Sequence, residues 1–273
     1  VTVSDAAERL TVRLAGEEKL LVAFSGGADS ALLATAAHRV LGDRAVAVTA
    51  VSASLPSAER AAARRFAREH GIAHVEVCTD ELDDPEYVAN TGNRCFHCKS
   101  ALFDALTPLA TLMGARMALG TNLDDLGDHR PGQTAAAQRG AIAPMVDAEL
   151  TKADVRAISA EWGLVTADKP AAACLSSRIA YGDRVTADVL GKIEHAEQAL
   201  HDLGFRELRV RTHADGTLAR VEVAERDMAA AFDSRDDILR ILDRAGFVFG
   251  SLDLRGLRSG SMNALLSLTP VVR

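Results

Sequence analysis

Three groups of residues in this chain have types and spacings that suit chemistry. The first is Ser25-Gly26-Gly27-Ala28-Asp29-Ser30, directly after the apolar run Leu20 to Phe24. Where a strand hands over to a helix, backbone N–H groups and the helix dipole can receive phosphate. The glycines permit a tight turn and a close ligand, and Ser25 and Ser30 can donate hydroxyls. No Walker lysine follows and the spacing G-x-G-x-x-G is absent, which disfavours a P-loop kinase-like site and a dinucleotide site. The second group is Gly120-Thr121-Asn122-Leu123-Asp124-Asp125. Asp124 and Asp125, together with Asp29, offer hard oxygen ligands for a Mg²⁺ held mainly by phosphate oxygens. Arg130 has the forked geometry that meets a phosphate or carboxylate.

The third group is sulfur and guanidinium. Four cysteines are present, Cys78, Cys95, Cys98 and Cys174, too few for a disulfide scaffold in 273 residues. Cys95 and Cys98 form a C-x-x-C pair, and Cys174 must reach them through the fold. A zinc site would need a fourth ligand, for which His97 or Cys78 is available; three thiolates also suit a 4Fe-4S cluster with one iron open. Cys78, at the end of an apolar stretch, reads as a packed core residue. Ser177 and Arg178 follow Cys174 closely and suit a substrate phosphate or carboxylate. Arg209, Arg211 and Arg220 alternate with apolar residues on two strands and would project from one sheet face. The bland alternative is that this face is simply the wet side of a hairpin.

The elements that must position these residues alternate. Strands are expected at Leu20 to Phe24, about Ala45 to Ala53, Val75 to Thr79, and Arg116 to about Leu119, with helices between them, including Asp29 to Leu41 and one capped by Thr151. Pro56 suits the first turn of a helix. Strands bounded by helices of this length imply α/β architecture: a mostly parallel sheet covered on both sides. After about Ala180 the pattern changes to a helix (Thr186 to Leu203), a hairpin about Asp215-Gly216, a helix (Ser234 to Ala245) and a strand in FVFGSLDL. That order predicts a smaller C-terminal α+β domain, with the boundary near Arg184, so residues 1–183 and 184–273.

Composition narrows the function classes. Acidic residues outnumber basic ones, 38 against 31, for a net charge of −7, and aromatics are 4%. Both features argue against a general nucleic-acid binder. No run approaches the roughly 18 apolar residues of a membrane span, and VTVSDAAERL has no signal-peptide pattern, so the expected location is the cytoplasm.

The string LVAFSGGADSALL resembles the pyrophosphate loop of the PP-loop ATP pyrophosphatases. NRCFHCK (Asn93 to Lys99), LGTNLDDLGDHRPG (Leu119 to Gly132), KPAAACLSSRIAYG (Lys169 to Gly182), RVRTHADGTLARVEV (Arg209 to Val223) and GLRSGSMN (Gly256 to Asn263) resemble, more narrowly, the LarE family. Those enzymes are ATP-dependent sulfur transferases in the synthesis of the nickel-pincer nucleotide cofactor of lactate racemase. The resemblance implies an adenine nucleotide alpha hydrolase-like fold, ATP and Mg²⁺ as cofactors, and adenylation of a carboxylate of pyridinium-3,5-biscarboxylic acid mononucleotide before its conversion to a thiocarboxylate. It implies that Arg211 and Arg258 hold that substrate, with Glu222 orienting an arginine. It also implies the three-cysteine variant, in which Cys95, Cys98 and Cys174 hold a 4Fe-4S cluster, and a homo-oligomer, trimeric or hexameric. Two other readings compete: a tRNA-thiolating enzyme of the same superfamily, and a non-catalytic metal-binding regulatory module.

Overall fold

The computed structural model describes residues 2–127, 131–170, 173–258 and 260–262. The chain divides into two compact units, one of residues 1–80 with 95–172, the other of 81–94 with 173–273. The expected boundary near Arg184 lies inside the second unit, which also takes in the earlier segment Glu81–Arg94.

The first unit is built on a parallel four-stranded sheet. Its elements run α1 (Val3–Ala15), β1 (Leu20–Ala23), α2 (Ala28–Leu41), β2 (Ala45–Val51), α3 (Ser57–Glu69) and β3 (Ala73–Cys78). After α4 (Pro85–Val88), which belongs to the other unit, come α5 (Arg94–Met113), β4 (Arg116–Ala118), α6 (Pro131–Gln138), α7 (Pro144–Asp147) and α8 (Lys152–Glu161). The strand order is β3-β2-β1-β4, with every pairing parallel. The period-2 alternation of β1 feeds two separate cores. Leu20 and Val22 pack with α1, α2 and α8 through Leu10, Leu14, Leu32, Leu33 and Ile158. Leu21 faces the other way, onto Leu102, Phe103 and Leu106 of α5. Both sheet faces are therefore covered, as a parallel sheet requires. The strand order reverses between β1 and β4, and the crevice outside the carboxyl ends of such strands is where ligands bind in open α/β sheets.

In the second unit α9 (Ala187–Asp202) precedes β5 (Leu208–His213) and β6 (Leu218–Val223); α10 (Met228–Asp233), α11 (Arg235–Ala245) and β7 (Phe249–Leu252) follow. β5 and β6 are an antiparallel hairpin and β7 joins β6 in parallel. The hairpin turn is made by Ala214, Asp215 and Gly216, all at positive φ. Thr186 caps α9 by accepting the Val189 N–H at 3.2 Å.

Several expectations shift in detail. Thr151 caps α8 in a full capping box with Asp154, as its sequence suggests. α1 was not anticipated, although Thr2 and Asp5 form the same reciprocal box. Cys78 is exposed, which corrects its reading as core: β3 is the outer strand of its sheet and Cys78 is its last residue.

Candidate active site

The Gly-rich turn sits where β1 passes into α2. Gly26 adopts φ 72°, open to glycine, and an added Cβ there would come within 3.2 Å of the Ala63 Cβ. Gly27 is the N-cap of α2, and no side chain caps that end. Ser30, nearly buried, ties the turn: its hydroxyl accepts the Ser25 N–H at 3.2 Å and lies 3.1 Å from Ser25 Oγ. At the strand end the Thr49 hydroxyl donates to the Phe24 carbonyl at 2.7 Å, so His74 Nε2, 2.8 Å away, must donate to Thr49. Burial lowers the His74 pKa, which suits that neutral tautomer.

Gly120, beyond β4, fixes the second wall. A Cβ there would lie 2.8 Å from Ser30 N and 3.0 Å from the Asp29 carbonyl carbon, so the strand end abuts the opening turn of α2. Gly120→Ala is expected to lower stability by about 1–3 kcal/mol, read from the urea midpoint, because the obstruction is backbone.

This approach brings Asn122 to Asp29: Asn122 Nδ2 donates to Asp29 Oδ1 at 3.0 Å, and Lys152 Nζ pairs with Asp29 Oδ2. The other two expected carboxylates have backbone partners. Asp125 Oδ2 accepts the Asn122 N–H at 3.1 Å, and Asp124 Oδ2 accepts the Lys152 N–H. Lys169 Nζ donates to the Gly26 carbonyl at 3.0 Å and pairs with Glu59 at 2.6 Å. The turn is thus flanked by two ammonium groups, Lys152 and Lys169, whose placement sequence reasoning missed. Lys152 is the first residue after the Thr151 cap, and Lys169 opens the K-P-A-A-A-C string; neither spacing signals phosphate. Arg130 lies outside the described residues.

Cys95 and Cys98 stand one turn apart at the start of α5, the first exposed and the second half-buried. Burial pushes the adjacent Lys99 ammonium down, against the pull of the Cys98 and Cys95 sulfurs. Within neither unit do three His, Cys, Asp or Glu side chains converge as a metal-binding set, among the described residues.

Cys174 lies in the second unit, immediately before the 3₁₀ turn Leu175–Arg178. Arg178 is buried, and its fork is fully engaged. Nε and Nη2 meet the two Glu197 oxygens at 3.0 and 3.1 Å, while Nη1 reaches the carbonyls of Ala173 and Cys174 at 2.6 and 3.0 Å. Ser177 Oγ also donates to the Cys174 carbonyl, at 2.7 Å. In this geometry Ser177 and Arg178 hold the cysteine segment.

The hairpin register places Arg209 opposite Glu222 and Arg211 opposite Arg220, so all four share one face. That face is not the wet side: Glu222 is 0% and Arg211 7% exposed. Glu222 accepts from Arg211 Nε at 3.0 Å, Arg220 Nη2 at 3.2 Å and Ser261 Oγ at 2.8 Å. Arg209, by contrast, meets only the Leu208 carbonyl (2.8 Å) among the hydrogen bonds of the described residues. Burial and then the charge of Arg178 push its pKa down, the signature of a cation that an anion would stabilise. Arg258 is exposed.

A parallel sheet flanked by helices, with S-G-G-A-D-S between a strand and a helix, defines the PP-loop ATP pyrophosphatase class, and residues 6–91 match the family model described as asparagine synthase. The chain is 36% identical over 260 residues, 94% of each chain, to the pyridinium-3,5-bisthiocarboxylic acid mononucleotide synthase of Lactiplantibacillus plantarum. It belongs to the family of that synthase, the LarE family. It is also 42% identical over 253 residues to an uncharacterized protein of Synechocystis sp., covering 92% of this chain and 94% of the relative. An uncharacterized protein of Methanocaldococcus jannaschii is 26% identical over 243 residues, covering 89% and 92%. Among the described residues no helix is long and apolar enough to cross a membrane.

Proposed function

We propose that this protein is an ATP-dependent sulfurtransferase that adenylates the carboxylates of pyridinium-3,5-biscarboxylic acid mononucleotide, releases pyrophosphate, and converts each acyl adenylate to a thiocarboxylate. The observation that carries this reading is the near full-length relationship to the pyridinium-3,5-bisthiocarboxylic acid mononucleotide synthase. In this reading the N–H groups of Ser25 to Ser30 and the start of α2 receive the β and γ phosphates, and Lys152 and Lys169 neutralise the leaving pyrophosphate. Asp29, with Asp124 and Asp125 behind it, would hold a Mg²⁺ that neutralises phosphate charge, and Arg130 would be a further phosphate contact.

For the second unit, we assign the substrate's phosphate and carboxylate to Arg209 and Arg258, with Arg211, Arg220 and Glu222 as the braced floor beneath them. As the resemblance implies, Cys95, Cys98 and Cys174 would hold a 4Fe-4S cluster. When bound, such a cluster supplies an iron open to an extra sulfide. We place the protein in the cytoplasm, as a homotrimer or homohexamer.

Anaerobic incubation with ATP, Mg²⁺, sulfide and the pyridinium nucleotide, followed by mass spectrometry, is expected to show the mass of one and then two oxygen-to-sulfur exchanges. ATP consumption with tRNA and not with the pyridinium nucleotide would favour the tRNA-thiolating reading instead. Arg209→Lys should raise the dissociation constant for the pyridinium nucleotide about tenfold while leaving that for ATP within twofold, because Lys loses the bidentate fork. Calorimetry with both ligands checks this; equal affinity for the pyridinium nucleotide removes Arg209 from the site.

A further inference from the structure

Behind Cys174 lies a buried pair of hydroxyls that the chemistry above does not use. Tyr87 and Ser176 are each 1% exposed, and Tyr87 Oη lies 2.8 Å from Ser176 Oγ. Ser176 Oγ in turn lies 3.5 Å from Cys174 Sγ, within hydrogen-bonding reach of a sulfur. All three residues belong to the second unit. The direction of the chain follows from proton count. Ser176 gives its single O–H to Cys174, so the bond between the hydroxyls runs from Tyr87 to Ser176.

The local structure holds this geometry. Tyr87 sits in α4, a single turn started by Pro85 and capped by Asp84, which accepts the Glu86 N–H at 2.9 Å. Three residues on, the fully buried Asn90 adopts φ 51°, a left-handed conformation that Asn tolerates. Its Nδ2 donates to the carbonyls of Ala180 (2.7 Å) and Asp183 (3.0 Å), and the Arg94 guanidinium donates to its Oδ1. Asn90 therefore clasps the chain just beyond the 3₁₀ turn that carries Ser176, and the Gly182 N–H returns to the Asn90 carbonyl at 3.2 Å. Meanwhile Arg178 and Ser177 grip the Cys174 backbone carbonyl. The main chain and the sulfur are thus held by separate donors.

We propose that Tyr87 and Ser176 form a hydroxyl relay that fixes the direction of the Cys174 sulfur, making both of them positioning residues for sulfur delivery. The donor approaches from the buried Ser176, and Cys174 itself is half-exposed. This deepens the reading of Cys174 as a cluster ligand and rests on it. An engaged lone pair is less available to an external electrophile, and cooperative chains strengthen each bond. Tyr87 thereby reaches the sulfur through Ser176.

The test uses metal-free, reduced full-length protein at pH 9.5, where ordinary thiols are largely ionised, and reads carbamidomethylation of Cys174 by iodoacetamide in its own peptide. Ser176→Ala is expected to react about fivefold faster than wild type, the factor that follows from losing one hydrogen bond. Tyr87→Phe should react about twofold faster, and the double variant should match Ser176→Ala, because in the relay the tyrosine reaches the sulfur through the serine. Ser176→Thr, which keeps a hydroxyl, should remain close to wild type and guards against a fold defect in the Ala variant. A Tyr87→Phe rate equal to wild type, or a double variant faster than Ser176→Ala by the full Tyr87→Phe factor, overturns the relay. Wild-type thiocarboxylate formation is measured in parallel; its absence would end the proposed function while the alkylation order still decides the relay.

Discussion

Asp29→Ala is expected to reduce Mg²⁺-dependent pyrophosphate release from ATP by at least roughly 10²–10³-fold, the range for removing one preorganised electrostatic group from such a site. Asp29 lies in the first turn of α2, where Asn122 and Lys152 converge on its two oxygens. Removing the carboxylate deletes the oxygen proposed to hold Mg²⁺ and leaves the Lys152 ammonium without its carboxylate. Folding should survive, since Lys152 is 38% and Asp29 27% exposed at the side chain, and an ion pair that open to water is worth about 1 kcal/mol or less. Asp29→Asn is the control that keeps a side-chain oxygen for Asn122 but not the charge. Pyrophosphate assays alongside a thermal melt separate the two effects; release at the wild-type rate in a folded Asp29→Ala variant would move the nucleotide away from this turn.

The second large effect concerns sulfur. Serine at Cys95, Cys98 or Cys174 should each remove most of the bound iron and the thiocarboxylate product, whereas Cys78→Ser should retain about four irons per chain. The structural ground for sparing Cys78 differs from the one the sequence suggests. It is not sequestered in a core; it is exposed at the end of an outer strand, with Arg60 as its charged neighbour. Iron and sulfide analysis after anaerobic preparation checks the series. Equal loss in Cys78→Ser, or stoichiometric zinc in a wild type that still transfers sulfur, would overturn the assignment.

How much of this was legible beforehand depends on the range of the interaction. β1, the Gly-rich turn and α2 follow from an apolar run, two glycines and helical spacing, all local signals, and the structure has them within a residue or two. Thr151 announced α8 for the same reason. Tertiary placement was not legible. Lys152 looks like an ordinary N1 residue until Gly120, with no Cβ to hold the chains apart, brings the end of β4 against α2. The wet-side alternative for the hairpin arginines could not be settled by alternation, because period 2 says which residues share a face but not what covers it. Glu222, with no exposure and three donors, answers that. Arg178 shows the converse: its sequence position beside Cys174 suggested a substrate contact, and the burial of Glu197 beside it reveals a brace.

The departure of Glu81–Arg94 into the second unit bears on how the protein can be made. The chain crosses between units at 80/81, 94/95 and 172/173. During synthesis at about 5–20 residues per second, α4 and Asn90 emerge many seconds before the Ile179–Asp183 stretch that Asn90 clasps. The segment must wait, held at both ends by a first unit that can complete its sheet without it. Tyr87 and Asn90 therefore reach their partners by closing a long loop late, and nascent chains shorter than that stretch should show protease cleavage within 81–94 while β1 to β4 are already protected.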